Sequence, residues 1–137
     1  MGWYALAAVL GGAQALSFAP LPSGIMQIGS LAGMLLLLPY VTRPARVALV
    51  FGLAWFCAGL YWLHFSMHGV GGLPAWMSVL AIMALSLYLA MYYMLALGIW
   101  RRFFAERRVS SYLVAFPALW LVAELARGYV FGGFPWV

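Results

Sequence analysis

The chain has 137 residues, of which 68% are hydrophobic and only 7% charged, with a formal net charge of +5. A soluble domain carries about a quarter charged residues, so a water-soluble fold of this size has no means of hiding so much apolar surface. All seven cations are arginines that fall at the ends of apolar runs or inside one, which fits orientation in a membrane and excludes a basic nucleic-acid-binding face.

Five apolar segments follow in chain order, and each is predicted to be a helix. The first runs from about Trp3 to Phe18, short for a spanning helix, and is broken by Pro20, Pro22, Ser23 and Gly24. It lacks a basic leader and a small-residue cleavage site, so it reads as a retained helix rather than a cleaved signal. The second runs from about Ile25 to Tyr40 and stops before Thr42-Arg43-Pro44. The third covers about Ala45 to Phe65, ahead of Gly69, Gly71, Gly72 and Pro74. The fourth, about Pro74 to Trp100, is long enough to tilt or to extend past the bilayer. The fifth covers about Tyr112 to Phe131, and Pro117 either kinks it or opens its regular part. The expected fold is all-α: a polytopic transmembrane helical bundle of about five spanning helices, forming one domain over residues 1–137 with helices near 3–18, 25–40, 45–65, 74–100 and 112–131.

Six arginines form two clusters, Arg43 with Arg46, and Arg101 and Arg102 with Arg107 and Arg108. The other two connections, near Pro20–Gly24 and His68–Gly72, carry no formal charge. By the positive-inside bias the arginine-bearing connections are cytoplasmic, the N-terminus is cytoplasmic, and the C-terminal end lies on the outer face. Small residues recur at Gly11 and Gly12, Gly29 and Gly33, and Gly52 and Gly59; Gly29-x-x-x-Gly33 has the spacing of close helix packing.

Glu124 and Arg127 are the strongest chemical pair. Three apart on a helix, they share a face with Trp120, and each is costly at the bilayer centre, by about 2.5–3.5 kcal/mol. Two readings stand: a mutually neutralised pair that locks this helix to its neighbours, or a polar site facing a headgroup or cleft. His64 and His68, four apart, share a helical face. A zinc site wants a third ligand, and of the two carboxylates Glu106 falls on the opposite side, so no metal is expected and interfacial hydrogen bonding beside Tyr61 and Trp62 is the reading preferred. Cys57 lies in an apolar run and reads as a small packing residue. No serine has an acid–base partner nearby and there is no phosphate loop, so no catalytic residue and no cofactor is expected within these residues.

Three stretches carry a resemblance. They are Ser17 to Leu21 (Ser-Phe-Ala-Pro-Leu); Gly59 to His64 continuing to His68–Pro74 (Gly-Leu-Tyr-Trp-Leu-His, then His-Gly-Val-Gly-Gly-Leu-Pro); and Pro117 to Gly128, with Pro-Ala-Leu-Trp and Glu-x-x-Arg-Gly, running into Gly-Phe-Pro-Trp at Gly133–Trp136. In order and spacing the chain resembles the amino-terminal membrane domain of bacterial apolipoprotein N-acyltransferase. That resemblance implies a multi-pass protein of the bacterial inner membrane, with its C-terminal end here periplasmic. It implies an enzyme whose nitrilase-like domain carries a Glu–Lys–Cys triad. The implied partners are a phospholipid acyl donor and a diacylglyceryl apolipoprotein acceptor, with no nucleic acid. The present chain contains no lysine, so the triad is not in it; it reads as a fragment without the catalytic domain, inactive by itself. The residues expected to shape the lipid site are Trp136, Pro135, Phe134, Glu124 and Arg127. The alternative is a stand-alone small membrane scaffold or a transporter subunit.

Overall fold

A computed structural model describes residues 2–17, 24–104 and 109–130. Among the described residues every regular element is helical and no strand occurs. Helix α1 spans Gly2–Ala15 and α2 spans Gly24–Leu37, the latter closing in a 3-10 turn, Leu38–Tyr40. Trp3 stacks on Tyr40 with ring centroids 5.6 Å apart, so the start of α1 and the end of α2 meet at one end of the bundle. Helix α3 spans Pro44–Gly59. Its first turn is set by Pro44, whose fixed φ suits a helix start and whose missing N–H would have had no partner there.

The third apolar segment is not one straight helix. After Gly59 the chain bends by 47° into α4, Trp62–His64, which widens into a π-helical turn over Phe65–Val70. Helix α5 then runs unbroken from Ala75 to Phe103. At 1.5 Å per residue its 29 residues reach about 43 Å, beyond a hydrocarbon core of about 30 Å. Arg101 and Arg102 occupy its last turn, where cations favour the negative end of the helix dipole.

A second π turn, Ser111–Ala115, leads into α6, Phe116–Tyr129. Pro117 sits in the first turn of α6 and offers no N–H, so it opens the regular helix rather than kinking it midway, and the preceding turn relaxes to wider bonding in which the Phe116 N–H donates to the Ser111 carbonyl. Trp100 Nε1 donates to the Ser111 carbonyl at 3.0 Å, and the Ser111 hydroxyl donates to the Phe104 carbonyl, tying the end of α5 to the entry of α6.

Among the described residues, by length and composition, α5 alone qualifies as a straight membrane span, and α3 with the α4–π segment qualifies as a second, bent one. Gly24–Tyr40 is apolar but shorter. Helix α3 is the hub: it packs along α1 on one side and α5 on the other, while α2 leans on α1 and α6 on α5. Two glycines set these distances. A Cβ on Gly11 would lie 2.1 Å from the Phe51 carbonyl oxygen, and one on Gly52 would lie 2.9 Å from the Ala90 Cβ. The Gly29-x-x-x-Gly33 pair does less: Gly29 faces open space and Gly33 meets only the Leu10 side chain. Only 33% of the apolar window of α5 is buried within the chain, and large apolar side chains such as Val9, Ile28, Leu36, Leu95 and Leu121 point outward.

Candidate functional site

Helix α6 presents Trp120, Glu124 and Arg127 from successive turns of one face, as their spacing requires. Opposite them α5 brings Tyr93 and α3 brings Phe51, Trp55 and Phe56. Tyr93 is fully buried, and its ring lies 4.5 Å from that of Trp120, 5.6 Å from Trp55 and 5.9 Å from Phe56. Phe51 meets Trp120 edge to face at 5.7 Å. These rings form a buried aromatic wall where α3, α5 and α6 converge.

Glu124 is set at the edge of that wall. The Tyr93 hydroxyl donates to its Oε1 at 2.7 Å. Arg127 takes the other oxygen, with Nη2 at 2.7 Å and Nε at 3.3 Å from Oε2. The guanidinium also lies 5.7 Å from the centre of the Phe56 ring, within cation–π range. Both carboxylate oxygens are therefore held, and the charge of the arginine is answered by a carboxylate and by a ring face. Arg127 turns inward to these partners rather than reaching outward along the helix.

The same carboxylate borders a groove. Ile28, Leu31, Ala32 and Leu35 of α2 face Phe116, Pro117, Trp120 and Leu121 of α6 across about 400 Å³, and Glu124 lines the groove with them. The four α2 residues follow i, i+3, i+4, i+7 spacing, so a single helix stripe lines one wall. Apart from Glu124 the lining is apolar, and the volume lies within the range of small-molecule sites. The arrangement suits an apolar chain with a polar group at one end. It offers no nucleophile.

Of the residues expected to shape the lipid site, the structure brings Glu124 and Arg127 into contact. Phe134, Pro135 and Trp136 lie outside the described residues, as do the Phe18–Leu21 part of the first motif and Glu106, Arg107 and Arg108. The bond from Tyr93 to Glu124 left no signal in the sequence, because nothing local links positions 31 residues apart. The α2 wall of the groove was missed too, although its stripe is visible as Ile28, Leu31, Ala32 and Leu35.

Near the far end of α3 and α4, His64 Nδ1 lies 2.8 Å from Ser78 Oγ and His68 Nδ1 lies 2.7 Å from the Leu73 carbonyl oxygen. Among the described residues no group of three His, Cys, Asp or Glu side chains comes together. The Cys57 thiol lies 3.6 Å from the Met83 sulfur, between apolar helix faces.

The family described as the apolipoprotein N-acyltransferase N-terminal domain matches residues 10–137. Among similar proteins, an apolipoprotein N-acyltransferase from Ralstonia nicotianae is 44% identical over 137 residues, covering 96% of this chain and 26% of its own length. The enzymes of that name from Vibrio vulnificus and Shewanella oneidensis are 38% and 40% identical, again over 96% of this chain and 26% of theirs. The chain thus spans about a quarter of the length of the curated relatives it matches.

Proposed function

Because the chain belongs to the apolipoprotein N-acyltransferase N-terminal domain family, we propose that it is the membrane part of an enzyme that moves an acyl chain from a phospholipid to the N-terminal diacylglyceryl-cysteine of lipoproteins. These 137 residues hold no lysine, so the Glu–Lys–Cys triad of that chemistry is not among them and the stretch alone is inactive in transfer. Its own contribution is to hold lipid. The observation that carries this reading is the meeting of Glu124, itself fixed by Tyr93 and Arg127, with the apolar groove between α2 and α6. An acyl chain is the natural guest of such a groove, because its methylenes leave the hydrocarbon of the bilayer for equally apolar Leu and Ile walls at no cost. Phe134, Pro135 and Trp136 come a few residues after α6 in sequence and are assigned to the entrance of the same site.

The experiment is to fill the groove in a complete family enzyme that carries this domain. Ala32→Trp places an indole between α2 and α6 and is expected to lower acyl transfer about tenfold at equal expression, by displacing the donor chain. Trp136→Ala is expected to lower it as well. Unchanged transfer in both variants would remove the groove and the entrance from the site.

The same reading places the chain in the bacterial inner membrane, crossing five times. The outward-facing apolar residues of α5 and the uneven arginines support it. A phosphatase reporter that works only outside the cytoplasm is expected to be active when fused after Gly72 and silent when fused after Arg102. The reverse pattern would overturn the orientation.

A further inference from the structure

Each of the two histidines makes a hydrogen bond, and the two rings also face one another. Their rings lie 5.4 Å apart, centroid to centroid, and 21° from parallel. His68 bonds through Nδ1 to a carbonyl oxygen, which only accepts, so Nδ1 carries the proton and donates to Leu73. Ser78 Oγ donates its own proton to the Ala75 carbonyl at 2.8 Å, so its contact with His64 is one in which His64 Nδ1 donates. Both rings are thereby fixed in the same tautomer. In each, Nε2 is the basic nitrogen and has no hydrogen-bond partner among the described residues.

This is how imidazole is prepared as a metal ligand: the second ring nitrogen donates to an oxygen, which sets the tautomer, orients the ring and raises the basicity of the free nitrogen. The backbone is shaped to match. His68 lies in the π turn Phe65–Val70, a departure from α geometry that recurs at functional sites, and His64 closes the α-helical turn before it. Gly72, at φ +67, then reverses the chain, returning Leu73 to His68 and Ser78 to His64. The 5.4 Å separation of the ring centroids is one that two imidazoles bound to a single ion, about 2.0–2.1 Å from each nitrogen, can adopt.

We propose that His64 and His68 form a two-imidazole site for one divalent transition-metal ion of the zinc, nickel or copper class, with Ser78 as the positioning residue of His64. Imidazole nitrogen suits these metals, and calcium and magnesium, which want oxygen ligands, are poor fits. Water completes the coordination, so the ion keeps open positions. The site lies on α4 and its π turn, apart from Glu124 and the groove, and stands whether or not the lipid reading holds.

The test uses the 137-residue chain in detergent micelles, titrated with Zn2+ alone by calorimetry and with Co2+ alone by visible absorption. One ion per chain is expected. His64→Ala and His68→Ala each are expected to abolish stoichiometric binding, and Ser78→Ala, which leaves both imidazoles in place, is expected to weaken it about 10–100-fold. Helix content by circular dichroism is read on every sample. Absence of uptake by the unaltered chain overturns the site, as does equal uptake by a His64→Ala/His68→Ala chain. Undiminished affinity in Ser78→Ala overturns the positioning role.

Discussion

Gly11→Ala is expected to destabilise the chain by about 3 kcal/mol, at the upper end of what overpacking a tight contact costs. The added methyl would lie 2.1 Å from the Phe51 carbonyl oxygen and 2.9 Å from the carbon that bears it. Both are backbone atoms of the central helix, with no rotamer to move aside, so α1 has to lift from α3 along its length. The neighbouring glycine supplies the control. A Cβ at Gly12 meets nothing within 4 Å, so Gly12→Ala keeps the contact and gains helix propensity, about 0.8–1.0 kcal/mol in favour of alanine. Adjacent, identical substitutions are thus expected to act with opposite signs. Unfolding of the micelle-bound chain by sodium dodecyl sulfate, followed by circular dichroism, measures both. Equal midpoints for the two variants would show that the α1–α3 approach is not set by Gly11.

Glu124→Ala is expected to cost about 3 kcal/mol by the same measurement, the low end of the range for removing one member of a buried ion pair, because both side chains remain partly exposed. The change takes the carboxylate away from two groups at once: the Tyr93 hydroxyl, within the buried aromatic wall, and the Arg127 guanidinium. Tyr93→Phe removes only one charge-assisted bond and is expected to cost about 1.5–3 kcal/mol. The discriminating experiment is the double variant. Glu124→Ala with Arg127→Ala is expected to be less damaging than the sum of the two single changes, because the contact between the two side chains is counted in both single changes and lost only once in the double variant. Strict additivity would mean that the 2.7 Å ion pair contributes no coupling. In a complete family enzyme, Glu124→Gln preserves an acceptor for Tyr93 and abolishes the charge, so transfer separates the two roles: retained stability with lowered transfer assigns the carboxylate to lipid handling.

Glu124 and Arg127 meet on α6, as their spacing requires. The pair does lock α6, through Tyr93 to α5, and the same carboxylate borders the groove. The i, i+3 spacing predicted that the two charges would meet, since that contact is local to one helix. It held no information about Tyr93, Phe56 or α2, whose approach depends on how whole helices stack. Similarly, Gly29-x-x-x-Gly33 has the favoured spacing yet faces mostly outward, while Gly11 and Gly52, each four residues after an alanine, carry the close contacts. A small residue permits proximity; the partner opposite decides whether it is used.

The amino-acid sequence by itself determined the helical class, the family and the interruptions of the apolar runs, because hydrophobic length, proline and glycine act locally and need no partner. It did not determine the 47° bend after Gly59, the cradle around Glu124, the groove between α2 and α6, or the shared tautomer of His64 and His68. The cradle and the groove are relations between residues far apart in the chain, and only the packing of helices around α3 brings them within reach of one another.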